Sequence, residues 1–243
     1  MRYCYIKALP RKKVSRKWPF LAFLPLGFMA VGLFLVGNAV FPILSYQLFL
    51  SPRFSRPELI KPIAEDSFAQ SPQTFTPQVL GEEEALDFTK IDRWFPTAPH
   101  LEVKPSKITH YTLSIPKLGI KEAVVEISGS DLKKSLIQYP GTANPGQAGN
   151  AVIFGHSVLP QFFNPETYLT IFSTLPTLKT GGEILVNFDG ITYRYRIEEM
   201  VEVSPNDISV LEQRYDDSYI TLITCVPPGL YLRRLVVRGR LSV

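Results

Sequence analysis

From Trp18 to Leu44 the chain reads WPFLAFLPLGFMAVGLFLVGNAVFPIL, a stretch without one charged side chain. About 20 largely apolar residues are enough for a helix to cross a bilayer. Such a run divides the chain into a part built for lipid and a part built for water. The run is longer than a signal-peptide core and has no clear small-x-small cleavage site. Residues 18–41 are therefore expected to form one uncleaved transmembrane anchor, with Trp18 at its interface and Pro25 and Pro42 able to kink or end the helix.

Charge orients this anchor. Residues 1–57 hold nine of the 26 Lys and Arg residues and none of the 22 Asp and Glu. The basic tail 1–17, with Arg11-Lys12-Lys13 and Arg16-Lys17, predicts a cytoplasmic N-terminus and an extracytoplasmic remainder. In residues 58–243, 17 bases face 22 acids, a net of −5, so the overall charge of +4 gives no footing for nucleic-acid binding.

Residues 42–106 change character. Pro, Ser, Gln and Thr recur and Gly81-Glu82-Glu83-Glu84 interrupts them, a composition that suits an extended spacer. The patch SYQLFL at its start suits the outer membrane surface. Asp92-Arg93-Trp94-Phe95-Pro96 stands out as aromatic in a polar background, fit either to dock on a folded domain or to form an ordinary turn.

Residues 107–243 read mostly as strands. TLSIPKLGIKEAVVEI shows short alternations broken by Pro116 and Gly119. In ITYRYRIEEMVEV, Tyr193, Tyr195 and Ile197 alternate with Arg194, Arg196 and Glu198. Short helices are expected after Asp131 (DLKKSLIQ) and over ISVLEQ, capped by Asn206 or Asp207. Many short strands with Gly and Pro turns and few helices argue for a closed β-barrel or a sandwich.

The chain has two cysteines, Cys4 in the tail and Cys225 near the end. The anchor should keep them apart, so no disulfide within the chain is expected. A cysteine nucleophile needs a proton partner and a cation or N–H donors for the oxyanion. Cys225 ends the strand YITLITC just before Val226-Pro227-Pro228-Gly229, which places a thiol at a barrel rim. Arg233-Arg234 opens the next strand, where a guanidinium can lower a thiol's pKa. Of the domain's two histidines, His110 enters the first strand, whereas His156 follows the apolar strand NAVIFG.

Three motifs carry a resemblance. Thr221-Leu222-Ile223-Thr224-Cys225 resembles the TLxTC signature of sortases, the bacterial surface transpeptidases. Tyr139-Pro140-Gly141-Thr142 with Gly149-Asn150-Ala151-Val152-Ile153…Gly155-His156 resembles the segment bearing the family's histidine. Arg234-Leu235-Val236-Val237-Arg238-Gly239 resembles its arginine strand, most closely that of classes C and D. The resemblance spans about Thr112 to Leu241, with the motifs in the family's order.

That resemblance implies a mostly β fold, a closed, mostly antiparallel sortase-like β-barrel with short helices, and a thioacyl route. Cys225 would attack the Thr–Gly amide of an LPxTG-like sorting signal on a secreted protein. His156 would protonate the departing amine and later deprotonate an acceptor amine, from a peptidoglycan precursor or a pilin lysine. Arg234 would hold the carbonyl oxygen. Register with the family's pattern selects Arg234, since Arg233 and Arg234 point to opposite strand faces. Thr224 and Arg233 are candidate substrate-binding residues. Only a minor thiolate–imidazolium fraction need be active.

No cofactor or metal is expected, since Glu122, Glu126 and Asp131 are scattered. Asp92-Arg93-Trp94 half resembles the lid segment of class C members. Lys179-Thr180-Gly181-Gly182-Glu183 departs from the family, many members of which carry an acid after that glycine. Two other readings share the anchor and barrel: a membrane-tethered peptide-binding barrel without chemistry, and a thiol peptidase in which water takes the acyl group. The anchor makes membrane lipid a partner and the cytoplasmic membrane of a bacterium the expected location.

Overall fold

The computed structural model describes residues 19–54, 87, 89–91, 94, 95 and 108–242. The basic tail, Cys4, Trp18, Gly81–Glu84, Asp92, Arg93 and Pro96 fall outside this set. Helix α1, Pro19–Ser45, runs through both Pro25 and Pro42. Its described side chains are almost all apolar and mostly exposed, with Leu33 and Phe34 the most open. A helix apolar all round has no water-facing stripe, the mark of one made for lipid. It is long and apolar enough to cross a membrane.

Pro42–Val243 forms its own compact unit. Among the described residues it holds eight strands: β1 His110–Ile115, β2 Ile120–Ile127, β3 Leu136–Gln138, β4 Gly149–Phe154, β5 Glu183–Phe188, β6 Ile191–Val203, β7 Ser218–Val226 and β8 Arg233–Leu241. They close into a barrel in the order β1-β2-β3-β4-β7-β8-β6-β5. Six pairings are antiparallel; β2 with β3 and β4 with β7 are parallel. The expected mostly antiparallel barrel is present.

Every residue of β4 and β7 is buried. Inward residues Ala151, Ile153, Ile220, Leu222 and Leu235 join the barrel core with Leu113, Ile120 and Val125. Outward residues Val152, Phe154, Ile223, Cys225 and Val236 form a second cluster with Ile91, Trp94, Phe95 and Val210. A strand covered on both faces reads as a continuous apolar run rather than an alternation. That is why ITLITCV lacks the polar punctuation seen in β6.

The stretch DLKKSLIQ is not a helix. A turn follows Asp131 and Leu136–Gln138 forms β3 between β2 and β4. Backbone pairing on both sides, plus burial of Leu136 and Ile137, outweighs the modest helix propensity of Leu and Lys. The second expected helix shortens to one 3₁₀ turn, Ile208–Leu211, and Asp207 caps it by accepting from Ser209 N.

Two pieces of the stretch 42–106 pack on the barrel. In the first, Tyr46 and Phe54 join the barrel core while Leu48 and Phe49 stay exposed. Within the second, which we term the strap (residues 87–95), Lys90 bridges to Asp131, Ile91 N donates to Ser130 O (3.3 Å) and Leu132 N donates to Thr89 O (2.9 Å).

Candidate active site

The site lies on the outward face of the β4-β7-β8 sheet. Cys225 and Arg234 are directly opposed across the antiparallel β7/β8 pair, so their side chains leave the same face. Arg233 opposes Val226 and leaves the other face. The geometry thus separates the two arginines as strand alternation requires: Arg234 shares the thiol's face and Arg233 does not.

His156 arrives from the parallel neighbour. Phe154 is in register with Ile223, Gly155 N donates to Ile223 O (3.1 Å), and Ser157 Oγ donates to Cys225 O (2.8 Å). The chain therefore continues alongside β7 past the last paired residue and brings His156 level with Cys225. Thr224 is fully buried, and its hydroxyl donates to Gly155 O at 2.9 Å. That bond fastens the peptide preceding the histidine. Gly155 is required for a different reason: a Cβ there would sit 2.2 Å from the Phe172 ring.

His156 is 4% exposed, and its Nδ1 lies 2.7 Å from Leu169 O. A carbonyl can only accept, so Nδ1 carries the proton and Nε2 is the nitrogen free to exchange one. Burial pulls the imidazole pKa below its ordinary value, while the Leu169 bond and then the Asp87 carboxylate act in the opposite sense. Burial pushes the Cys225 thiol up to about 12, partly offset by Arg234. Both shifts favour the uncharged forms of the two groups.

Arg234 is 1% exposed. Its Nη1 donates to Tyr231 O (3.1 Å) and Arg233 O (3.3 Å), and its Nη2 donates to Trp94 O (3.0 Å). The guanidinium carbon lies 5.3 Å from the Trp94 ring centre and 6.0 Å from that of Phe95. Trp94 and Phe95 also meet Phe154 edge-on. A main-chain carbonyl and two rings from the strap thus cover this guanidinium. Tyr231, in the β7–β8 connection, places its ring 6.1 Å from the His156 ring. A mostly apolar groove of about 220 Å³ opens nearby, lined by Tyr139, Thr142, Ile208, Leu211 and Gln213 among others. Gln213 staples its two walls, with Oε1 accepting from Ala143 N and Asn150 N and Nε2 donating to Asn150 O.

Residues 113–242 match the model of the sortase domain. The chain belongs to the sortase family. Sortase A of Bacillus anthracis is 30% identical over 132 residues, covering 53% of this chain and 58% of the relative. Sortase A of Staphylococcus aureus is 31% identical over 128 residues, covering 46% and 58% respectively. The chain thus spans 58% of the length of these curated relatives. Among solved structures, a Clostridium perfringens sortase D5 transpeptidase is 26% identical and matches over 58% of this chain and 83% of its own, with a TM-score of 0.48. Sortase A of Corynebacterium diphtheriae is 28% identical over 58% and 63%, with a TM-score of 0.49.

In this sortase domain the geometry brings His156, Cys225 and Arg234 together and places the Thr224 hydroxyl behind His156. His110 lies on the far side of the barrel in β1, bonded to Thr109 Oγ1. Sequence reasoning missed Tyr231 and the Leu169 carbonyl, both loop groups with no local signature. No cluster of three or more potential metal ligands occurs among the described residues.

Proposed function

We propose that the chain is a membrane-anchored cysteine transpeptidase with Cys225, His156 and Arg234 as its catalytic residues. The observation that carries this reading is the Cys225–Arg234 cross-strand pair with His156 brought level with the thiol by the parallel β4/β7 ladder.

The reaction divides into two acyl transfers. The thiol proton passes to His156 Nε2, and the Cys225 sulfur adds to the carbonyl carbon of the Thr–Gly amide in an LPxTG-like signal. Arg234 faces the oxygen that becomes negative, where a fixed guanidinium is worth most. The C–N bond breaks as the imidazolium returns its proton to the leaving amine, which leaves a thioester on Cys225. An acceptor amine then adds to the thioester carbon, His156 takes its proton, and the C–S bond breaks to regenerate the thiol. The acceptor is an amine of a peptidoglycan precursor or a pilin lysine.

For substrate to reach Arg234, the Trp94 carbonyl must give up its bond to Nη2. The strap therefore acts as a lid. The apolar groove beside Tyr139 accepts the apolar end of the signal, and helix α1 holds the domain at the outer face of the cytoplasmic membrane.

The test uses the full chain in detergent with a quenched LPxTG-type peptide and an amine, wild type beside Cys225→Ala. Cleavage with an amide product, lost in the variant, is expected. Cleavage to free acid alone at saturating amine would make the protein a thiol peptidase. Peptide binding that is equal in both proteins and leads to no cleavage would make it a binding module.

A further inference from the structure

Glu202, next to last in β6, is 1% exposed. A carboxylate removed from water must be partnered or it strongly destabilises the fold. Its partners come from two distant places. Tyr46 Oη donates to Oε1, and Ser51 Oγ donates to Oε2 at 3.1 Å. Arg233 Nε lies 3.6 Å from Oε2. The first two belong to the turn that follows the apolar run, Tyr46–Phe54, and the third to the first residue of β8.

That third contact leads into the catalytic centre. Arg233 has no place on the Cys225 face, yet its main-chain oxygen accepts from Arg234 Nη1 at 3.3 Å. Val203, beside Glu202, is in register with Arg234 itself. A continuous chain of contacts thus runs from the Tyr46–Ser51 hydroxyls through the Glu202 carboxylate, the Arg233 side chain and the Arg233 carbonyl to the Arg234 guanidinium.

We propose that Glu202 is a positioning residue that couples docking of the membrane-proximal turn to the aim of Arg234, by way of Arg233. On this account the turn is part of the catalytic unit and not of a spacer. Tyr46 and Ser51 neutralise the need of Glu202 for donors, Glu202 fixes the Arg233 side chain, and Arg233 fixes the peptide against which Arg234 is braced. A fragment beginning after residue 54 would leave a buried carboxylate without two of its donors and a loosened start to β8. The inference rests on the transpeptidase reading, because it needs Arg234 to act on the reacting carbonyl.

The experiment is a double-mutant cycle on the full chain in detergent, assayed by peptide cleavage with an amine acceptor. Glu202→Gln keeps the shape and removes the charge. Arg233→Gln, at a partly exposed side chain, removes the same link with less risk to folding. Either change is expected to lower kcat about tenfold or more with KM changed less than about threefold, since sub-ångström misplacement of a catalytic group acts on the transition state. In an Arg234→Lys background neither should lower kcat further, because the group being aimed is already gone. Tyr46→Phe with Ser51→Ala should follow the same pattern.

If Arg233→Gln keeps kcat within twofold of wild type, or if its loss multiplies in full with that of Arg234→Lys, the coupling is absent and Glu202 is a buried structural acid only. Those results beside a nearly inactive Arg234→Lys overturn the inference and leave the transpeptidase reading standing. Wild-type turnover by Arg234→Lys, or cleavage by Cys225→Ala, overturns the reading itself and the inference with it.

Discussion

Two short pieces from the N-terminal side reach two successive residues of β8, one on each face, and by different chemistry. The membrane-proximal turn meets Arg233 through a buried carboxylate and two hydroxyls. The strap meets Arg234 with a main-chain carbonyl and two aromatic rings. The first is held by groups that have no alternative in water, because Glu202 is enclosed. The second is tethered at its start by backbone bonds to 130–132 and by exposed ion pairs such as Lys133–Asp87, 3.8 Å apart. Exposed pairs add little. On the lid reading proposed above, the difference is that between a permanent fixture and a removable cover.

The largest expected effect tests the permanent side. Glu202→Ala leaves Arg233, Tyr46 and Ser51 facing an empty polar hole. It should destabilise the domain by about 3 kcal/mol or more, as broken buried pairs do, seen as a lower denaturation midpoint. Gly155→Ala comes next. Its methyl must displace the Phe172 ring, an overpacking that costs about 1–3 kcal/mol. Because Gly155 precedes His156, activity should fall with stability.

On the removable side, Trp94→Ala should lower stability, as loss of a fully buried aromatic does, while keeping the barrel and opening the site. Burial is what holds the thiol near 12, so uncovering it moves the pKa down and enlarges the thiolate fraction at every pH below that value. Alkylation of Cys225 by iodoacetamide should rise with pH in both proteins. Its midpoint should be lower in the variant, and a one-unit shift gives about a tenfold faster rate at pH 7.5. An unchanged midpoint would mean that Trp94 does not desolvate the thiol. The smallest effect is expected from Lys133→Ala, which trims an exposed tether and should leave the unfolding midpoint unmoved.

The sequence reveals these parts unevenly, and for physical reasons. Cys225 is legible as a thiol at a strand end with arginines at the next strand's start, whereas the choice of Arg234 over Arg233 comes from the family resemblance, because strand alternation alone does not say which of the two faces the thiol. The run YITLITC also announces a strand covered on both faces. Trp94 is visible as an aromatic out of place, yet its partner Arg234 lies 140 residues away, and no local pattern connects them. Glu202 is hidden by its setting: in Met200-Val201-Glu202-Val203 an acid between two valines reads as the wet face of a strand. Only the packing of Tyr46 and Ser51 makes that face dry. DLKKSLIQ misleads because Leu136 and Ile137 are recruited by two neighbouring strands that local propensity does not see.

On the proposed mechanism Cys225 carries the acyl group between the two amines. Intact-protein mass measurement tests it most directly, with the full chain in detergent mixed with an LPxTG-type peptide in the absence of acceptor. The account predicts an adduct equal to the peptide up to its threonine, located on Cys225, lost on adding an amine as the amide product appears, and absent from Cys225→Ala. Amide product formed without any such adduct, or formed by Cys225→Ala, would contradict it.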